Sequence, residues 1–319
     1  MTRYDITAIG EGGLRLSVPS GTRLERTPTL DVNVAGTEAN VLSGLASLGW
    51  RAGWVSALPK TPMARRVEFE LRSHGVDLAG VVRTDTGRLG TYYVEYGAAP
   101  RPTHVYFDRA DTAFTQMTTA DVDWDLLLDT RVIHLTGITA ALSPNVLEIL
   151  TEVLDRAEAA GVPVSFDVNY RANLWPADVA AEVLRPFVER AEILFVRADD
   201  LAQLYDLGPE PEQALDQVCA MTRARHVALT CGDLGVLASI DGARVKASAR
   251  PVDIVDRLGA GDGFAAGFLH AWLDGDVDEA AEHGVVMAAL ALAQVGEQVV
   301  TTREELAATL LDSASRLRR

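Results

Sequence analysis

The stretch "VDRLGAGDGFAAGFLHAWL", Val255 to Leu273, sets Gly259, Gly261 and Gly263 around Asp262 and then runs on almost without charge. A helix that is apolar on every side has no solvent face and must be buried. The spacing predicts such a helix from Gly263 onward, preceded by a strand-like run at Pro251 to Val255. The start of a buried helix holds N–H groups that have no intrahelical partner, and glycines let a ligand approach the backbone closely. Such a terminus attracts anions. Asp262 can serve there as the helix N-cap, the usual task of Asp in that place. It can also be a carboxylate beside an anion pocket, which is the pair that phosphoryl transfer requires: donors for the moving charge and a base for the acceptor hydroxyl.

Outward from this stretch, the chain alternates short apolar runs with helical ones. "YDITAIG" from Tyr4 reads as a buried strand, and "TLDVNV" to Val34 alternates at period two. Val41, Leu42, Leu45 and Leu48 are spaced for a helix over Thr37 to Leu48 that stops at Gly49, and Thr61-Pro62 opens another that closes at Gly75. "TYYVEY" and "THVYFD", joined by "GAAPRP", read as a hairpin. Strand and helix units follow: "VIHLTGI", a helix from Ser143-Pro144, "VPVSFDV", a helix after Pro176, "EILFV", a helix from about Glu212, then "HVALTC" and "VLASI". This pattern predicts an α/β fold with a mostly parallel central sheet and helices on both faces. No repeat or linker divides residues 1–319, so one domain is expected.

Composition narrows the chemistry. With 29 Lys and Arg against 45 Asp and Glu, the net charge of −16 argues against nucleic acid and anionic membranes as partners. No apolar segment has the length of a membrane span or the form of a leader, so a cytoplasmic protein is expected. Cys219 and Cys231 lie in no CxxC pattern and read as reduced structural thiols. Lys60 and Lys246 are the only lysines, and no GxxxxGK[ST] occurs, which removes Walker-type nucleotide binding. "GEGGLRL" after the first strand lacks the GxGxxG of a dinucleotide oxidoreductase.

Asp256 to Asp262 matches D-x-x-G-A-G-D, and "VAGTEAN" at Val34 to Asn40 approximates a Gly-Gly turn followed by a helix Asn. With these two motifs in this order the chain resembles the PfkB/ribokinase family of sugar kinases, over essentially its whole length. Within that family "YFDRADTAF", "HLTGITAALSP" and "SFDVNYRANLW" look like blocks of 2-keto-3-deoxygluconate kinases. The resemblance implies a ribokinase-like fold whose β lid, here about 14–33 and 89–110, covers the sugar and often forms a homodimer interface. It implies ATP and Mg²⁺, with a monovalent cation as a further family option. Asp262 would be the general base, and the N–H groups of Gly259, Ala260 and Gly261 the anion hole. Gly36, Asn40 and Tyr92 would touch the sugar, and Arg109 and Arg171 would hold its carboxylate. Gly232 and Gly235 in "TCGDLG" would border the nucleotide, together with Gly259 and Gly261. Asp200 would reach the metal through water.

The sequence departs from the family pattern at four places. Ala35-Gly36 replaces two glycines, Arg197 to Asp200 replaces N-x-x-E, Phe107 stands at a tyrosine position, and Gly263 replaces a more usual Ala. The expected activity is therefore ATP-dependent phosphorylation of the terminal hydroxyl of a sugar acid, first among them 2-keto-3-deoxygluconate. A neutral-sugar kinase for fructose or ribose, and a sugar- or nucleotide-binding regulator without catalysis, remain as alternatives.

Overall fold

The computed structural model describes residues 2–97, 100–207 and 210–311. Its strands in chain order are β1 (Ile6–Ile9), β2 (Gly13–Val18), β3 (Asp31–Ala35), β4 (Ala52–Pro59), β5 (Asp77–Thr84), β6 (Gly90–Glu95) and β7 (His104–Asp108). They continue as β8 (Ile133–Thr136), β9 (Val164–Asp167), β10 (Ile193–Arg197), β11 (His226–Thr230), β12 (Val236–Ile240) and β13 (Ala243–Ala247). The larger sheet has the order β13-β12-β11-β10-β9-β8-β1-β4-β5. Every pairing from β5 to β11 is parallel, and β12 and β13 complete it antiparallel.

Side chains of these strands alternate between two apolar cores, because successive residues of a strand face opposite sides. On β10, Ile193 and Phe195 enter one core while Leu194 and Val196 enter the other. The first core is filled by the helices Thr37–Ser47, Ala260–Asp274 and Ala280–Leu292, and the second by Pro144–Ala160, Ala177–Arg190 and Pro211–Met221. A parallel sheet covered on both faces needs strands that read as continuous apolar runs, which is how these strands read. Phe195 meets Phe268 edge to face at 5.2 Å, tying β10 to the helix Ala260–Asp274.

The smaller sheet has the order β3-β2-β6-β7 and stands over one end of the larger one. Strands β2 and β6 run parallel, and β6 pairs antiparallel with β7 as the sequence pattern requires. Of the joining "GAAPRP", residues 98–99 lie outside the described residues.

Two expectations need correction. Pro251 to Val255 is not a strand: the Val255 and Asp256 N–H groups bond to the Leu292 carbonyl at the end of a helix, and Ile254 and Val255 are exposed. The backbone bonds there are met without a sheet neighbour. The apolar helix begins at Ala260, not Gly263, so Asp262 lies in its first turn and Gly259 is the N-cap. Residue 259 has φ of +90°, and a Cβ there would come within 2.4 Å of the Glu297 carbonyl oxygen, so only glycine fits. The strands β4, β5 and β13 and the helices Ala198–Tyr205, Ala280–Leu292 and Arg303–Leu311 were not anticipated from the pattern.

Candidate active site

A cavity of about 1000 Å³ opens at the carboxyl ends of the parallel strands, beneath the small sheet. In open α/β sheets that edge is where ligands bind, because strand ends and helix starts converge there. Residues that the sequence scatters over more than two hundred positions meet on its wall: Gly36, Tyr92, Arg109, Arg171, Gly232, Gly235 and the turn Gly259 to Asp262. Asn40, only 1% exposed, lies just behind it.

The helix Ala260–Asp274 starts at this wall, and its first N–H groups have no intrahelical acceptor. The Asp262 carboxylate stands beside them and accepts a hydrogen bond of 2.6 Å from Asn40 Nδ2. Burial is the main cause that lifts its pKa to about 7, with the negative charges of Asp167 and Glu38 adding to it; the Asn40 bond and the charge of Arg171 oppose the rise. Such a carboxyl takes up and releases a proton near neutrality. Asn40 Nδ2 also lies 3.3 Å from Glu297 Oε2. Behind Glu297 stands Arg15, fully buried on β2, with Nη2 2.6 Å from Asp256 and Nη1 3.5 Å from Glu297. Asp256, the first residue of the glycine turn, also accepts from Tyr96 Oη at 3.0 Å and from the Leu258 N–H at 3.1 Å. The small sheet and the turn are thus joined through one buried ion pair.

Gly36 has φ of +152°, and a Cβ there would meet the Glu11 carbonyl oxygen at 2.4 Å, so the second of the two expected glycines is required and Ala35 is accommodated. Tyr92 packs against Phe107 with ring centroids 5.5 Å apart, and both face the cavity. The two arginines differ. Among the described residues Arg171 bonds only the Tyr170 carbonyl, at 3.0 Å. Arg109 is already held by Glu11, with Nη2 at 2.7 Å and Nε at 2.9 Å from the same carboxylate oxygen.

Asp200 is not on the cavity wall. It is only 3% exposed and accepts from the Tyr170 N–H at 3.3 Å, while Asp167, Asn169 and Asp199 face the cavity. Burial raises the pKa of both Asp167, to about 6, and Asp200; the charge of Asp200 adds to the rise at Asp167. Two carboxylates that crowd each other in this way suit a divalent cation, which one or two carboxylates and substrate phosphates commonly hold.

Glu11, Arg15, Glu38, Asp167, Asn169, Glu297 and Arg257 were missed. Asp167 and Asn169 fall four and two positions before Arg171 at a strand end, and Glu38 lies inside "VAGTEAN", so sequence proximity to motif residues was the available signal. Glu297 and Arg15 carry no such signal. Arg257 faces the cavity and has no acidic partner among the described residues.

With a glycine-capped helix start beside a carboxylate in place at this strand edge, the chain also matches a known family over residues 6–303: the pfkB family carbohydrate kinases. The chain belongs to that family. Its relatives include a 2-dehydro-3-deoxygalactonokinase of Haloferax volcanii, 34% identical over 95% of both chains. A 2-dehydro-3-deoxygluconokinase of Bacillus subtilis is 29% identical, over 97% of this chain and 96% of that one. Among solved structures, the 2-dehydro-3-deoxygluconokinase of Thermotoga maritima superposes with a TM-score of 0.90 at 32% identity, covering 96% of this chain and 97% of that one. The ribokinase-like fold expected from the motifs is the one observed.

Proposed function

We propose that this kinase transfers the γ-phosphoryl group of ATP to the terminal hydroxyl of a 2-keto-3-deoxy sugar acid of gluconate or galactonate type. The observation that carries the reading is Asp262: a carboxylate with a pKa near 7, beside unpartnered helix N–H groups, in a cavity that also holds Arg171. The names of relatives at 34% and 32% identity support the acid class.

In this reading Asp262 takes the proton of the acceptor hydroxyl as its oxygen bonds to the γ-phosphorus. The bond from that phosphorus to the bridging oxygen breaks, and ADP leaves. The N–H groups at Gly259 to Gly261 face the oxygens on which charge gathers, in the manner of an oxyanion hole. Asn40 fixes the orientation of Asp262. Arg171 and Arg109 hold the sugar carboxylate, for which the flat guanidinium fork is suited. Gly232 and Gly235 border the base-binding side, and Arg257 and Arg197 face the phosphates. A magnesium ion, held by Asp167 and by Asp200 through water, would neutralise phosphate charge. The small sheet acts as a lid that keeps out water, which would otherwise compete for the phosphoryl group.

One observation favours a neutral sugar instead: the charge of Arg109 is already matched by Glu11. ADP release with a panel of 2-keto-3-deoxy acids and neutral sugars, in wild type and in Asp262→Asn, separates the readings. Activity on the acids that is lost in the variant is the expected result. Activity on fructose or ribose alone would overturn the acid assignment, and undiminished activity of the variant would overturn the base.

A further inference from the structure

Glu38 is a pocket carboxylate that neither motif nor mechanism has used. It sits in the first turn of the helix Thr37–Ser47, is exposed by only 1%, and yet lines the cavity. Its Oε1 accepts from the Thr136 hydroxyl at 2.7 Å and from the Thr139 hydroxyl at 2.6 Å. Among the described residues no other side chain donates to Oε2, and the residue's own backbone N–H also acts on the carboxylate. A Cβ on residue 10 would stand 2.1 Å from Oε2, so the absence of a side chain at Gly10 makes the space into which the carboxylate fits. Arg109 lies close enough to act on its charge, but its hydrogen bonds go to Glu11.

A carboxylate held at one oxygen by two threonines, on a cavity wall, has acceptor capacity left at the other oxygen, which a ligand donor can fill. The available donor must come from the cavity. It must be a hydroxyl or similar group rather than a second anion, since a sugar carboxylate would be repelled there. Glu38 and Asp262 line the same cavity, so one bound sugar can present a hydroxyl to each.

We propose that Glu38 Oε2 accepts a hydrogen bond from a secondary hydroxyl of the acceptor sugar, and that Thr136, Thr139 and Gly10 exist to hold it in that pose. Glu38 is thereby a specificity-determining residue for the acceptor sugar. This rests on the kinase reading above but not on the choice between acid and neutral sugar, because both carry secondary hydroxyls.

The test is steady-state kinetics of Glu38→Gln and Glu38→Ala on whichever sugar the wild type phosphorylates, with the melting temperature of each variant measured alongside. Loss of a hydrogen bond to a charged group predicts a sugar KM raised about 10- to 100-fold in Glu38→Ala. The rise is smaller in Glu38→Gln, which keeps both threonine bonds and a neutral partner, and KM for ATP is unchanged in both. Substrate analogues that each lack one secondary hydroxyl supply the decisive readout: with one of them, wild type and variant should have the same KM. Thr139→Val, which keeps the carboxylate but frees it, is expected to raise the sugar KM by a lesser factor and stands in should Glu38→Ala not fold. An unaltered sugar KM with a lowered melting temperature would overturn the proposal and make Glu38 a structural brace. So would an equal penalty with every analogue. Inactivity of the wild type on every sugar would instead remove the kinase reading itself.

Discussion

Replacement of Asp262 by Asn should lower turnover and raise stability at once, and the two effects have the same cause. The wild-type carboxyl is lifted from 3.8 to about 7, chiefly because protein surrounds it. Its ionised form is therefore less stable in the folded protein than in the unfolded chain. Between pH 4 and 7 the folded state holds a proton that the unfolded state has released, so this group lowers stability as pH rises through that window, and the full penalty is present above about 7. At about 1.4 kcal/mol per tenfold, the penalty has an upper bound of ~4 kcal/mol. Water in the cavity reaches the half-buried side chain and screens it, which brings the working figure to ~2 kcal/mol. Asn has no charge to bury, and its carbonyl can still accept from Asn40. The variant should melt about 4 °C higher than wild type at pH 8, and the difference should shrink towards zero at pH 4. Loss of a general base should reduce kcat by about 10²- to 10⁴-fold in the same preparation. Scanning calorimetry of both proteins across pH 4–8, beside an ADP-release assay, reads both effects. A melting difference that does not change with pH, or a turnover within about threefold of wild type, would refute the argument that burial tunes Asp262 as the base.

Wild-type kcat/KM for the sugar should rise with pH and level off above about 7, since Asp262 must be ionised to accept the proton; a flat profile from pH 5 to 8 would contradict this. Arg15→Ala leaves Asp256 and Glu297 buried without their cation and should destabilise the protein by about 3–5 kcal/mol in denaturant titration, whereas the pair Arg15→Met with Asp256→Leu should recover part of the loss. Arg109→Ala should cost stability through the orphaned Glu11 as well as affinity for the sugar acid, and the double variant with Glu11→Gln should restore the melting temperature but not the KM. Gly259→Ala forces a side chain onto the Glu297 backbone at a left-handed position and should lower both melting temperature and turnover, as thermal melts and the ADP assay would show.

What the sequence determined by itself is the part of the molecule that local patterns encode. Short continuous apolar runs such as "EILFV" and "HVALTC", and helix starts at Thr61-Pro62 and Ser143-Pro144, announce an α/β fold because strand patterning and capping act over a few residues. The apolar run after Asp262 announces a buried helix for the same reason, and the motif around it was sufficient for the family. The tertiary structure alone decided the helix start at Ala260, because the collision that demands glycine at 259 comes from Glu297, thirty-eight positions away. It alone decided that Arg109 is paired, that Asp200 lies behind the wall and that Glu38 reaches it. Buried charges are settled by which partners the fold brings within a few ångströms, and no spacing along the chain records that Arg15 will meet Asp256 or that Glu38 will find two threonines and the gap at Gly10.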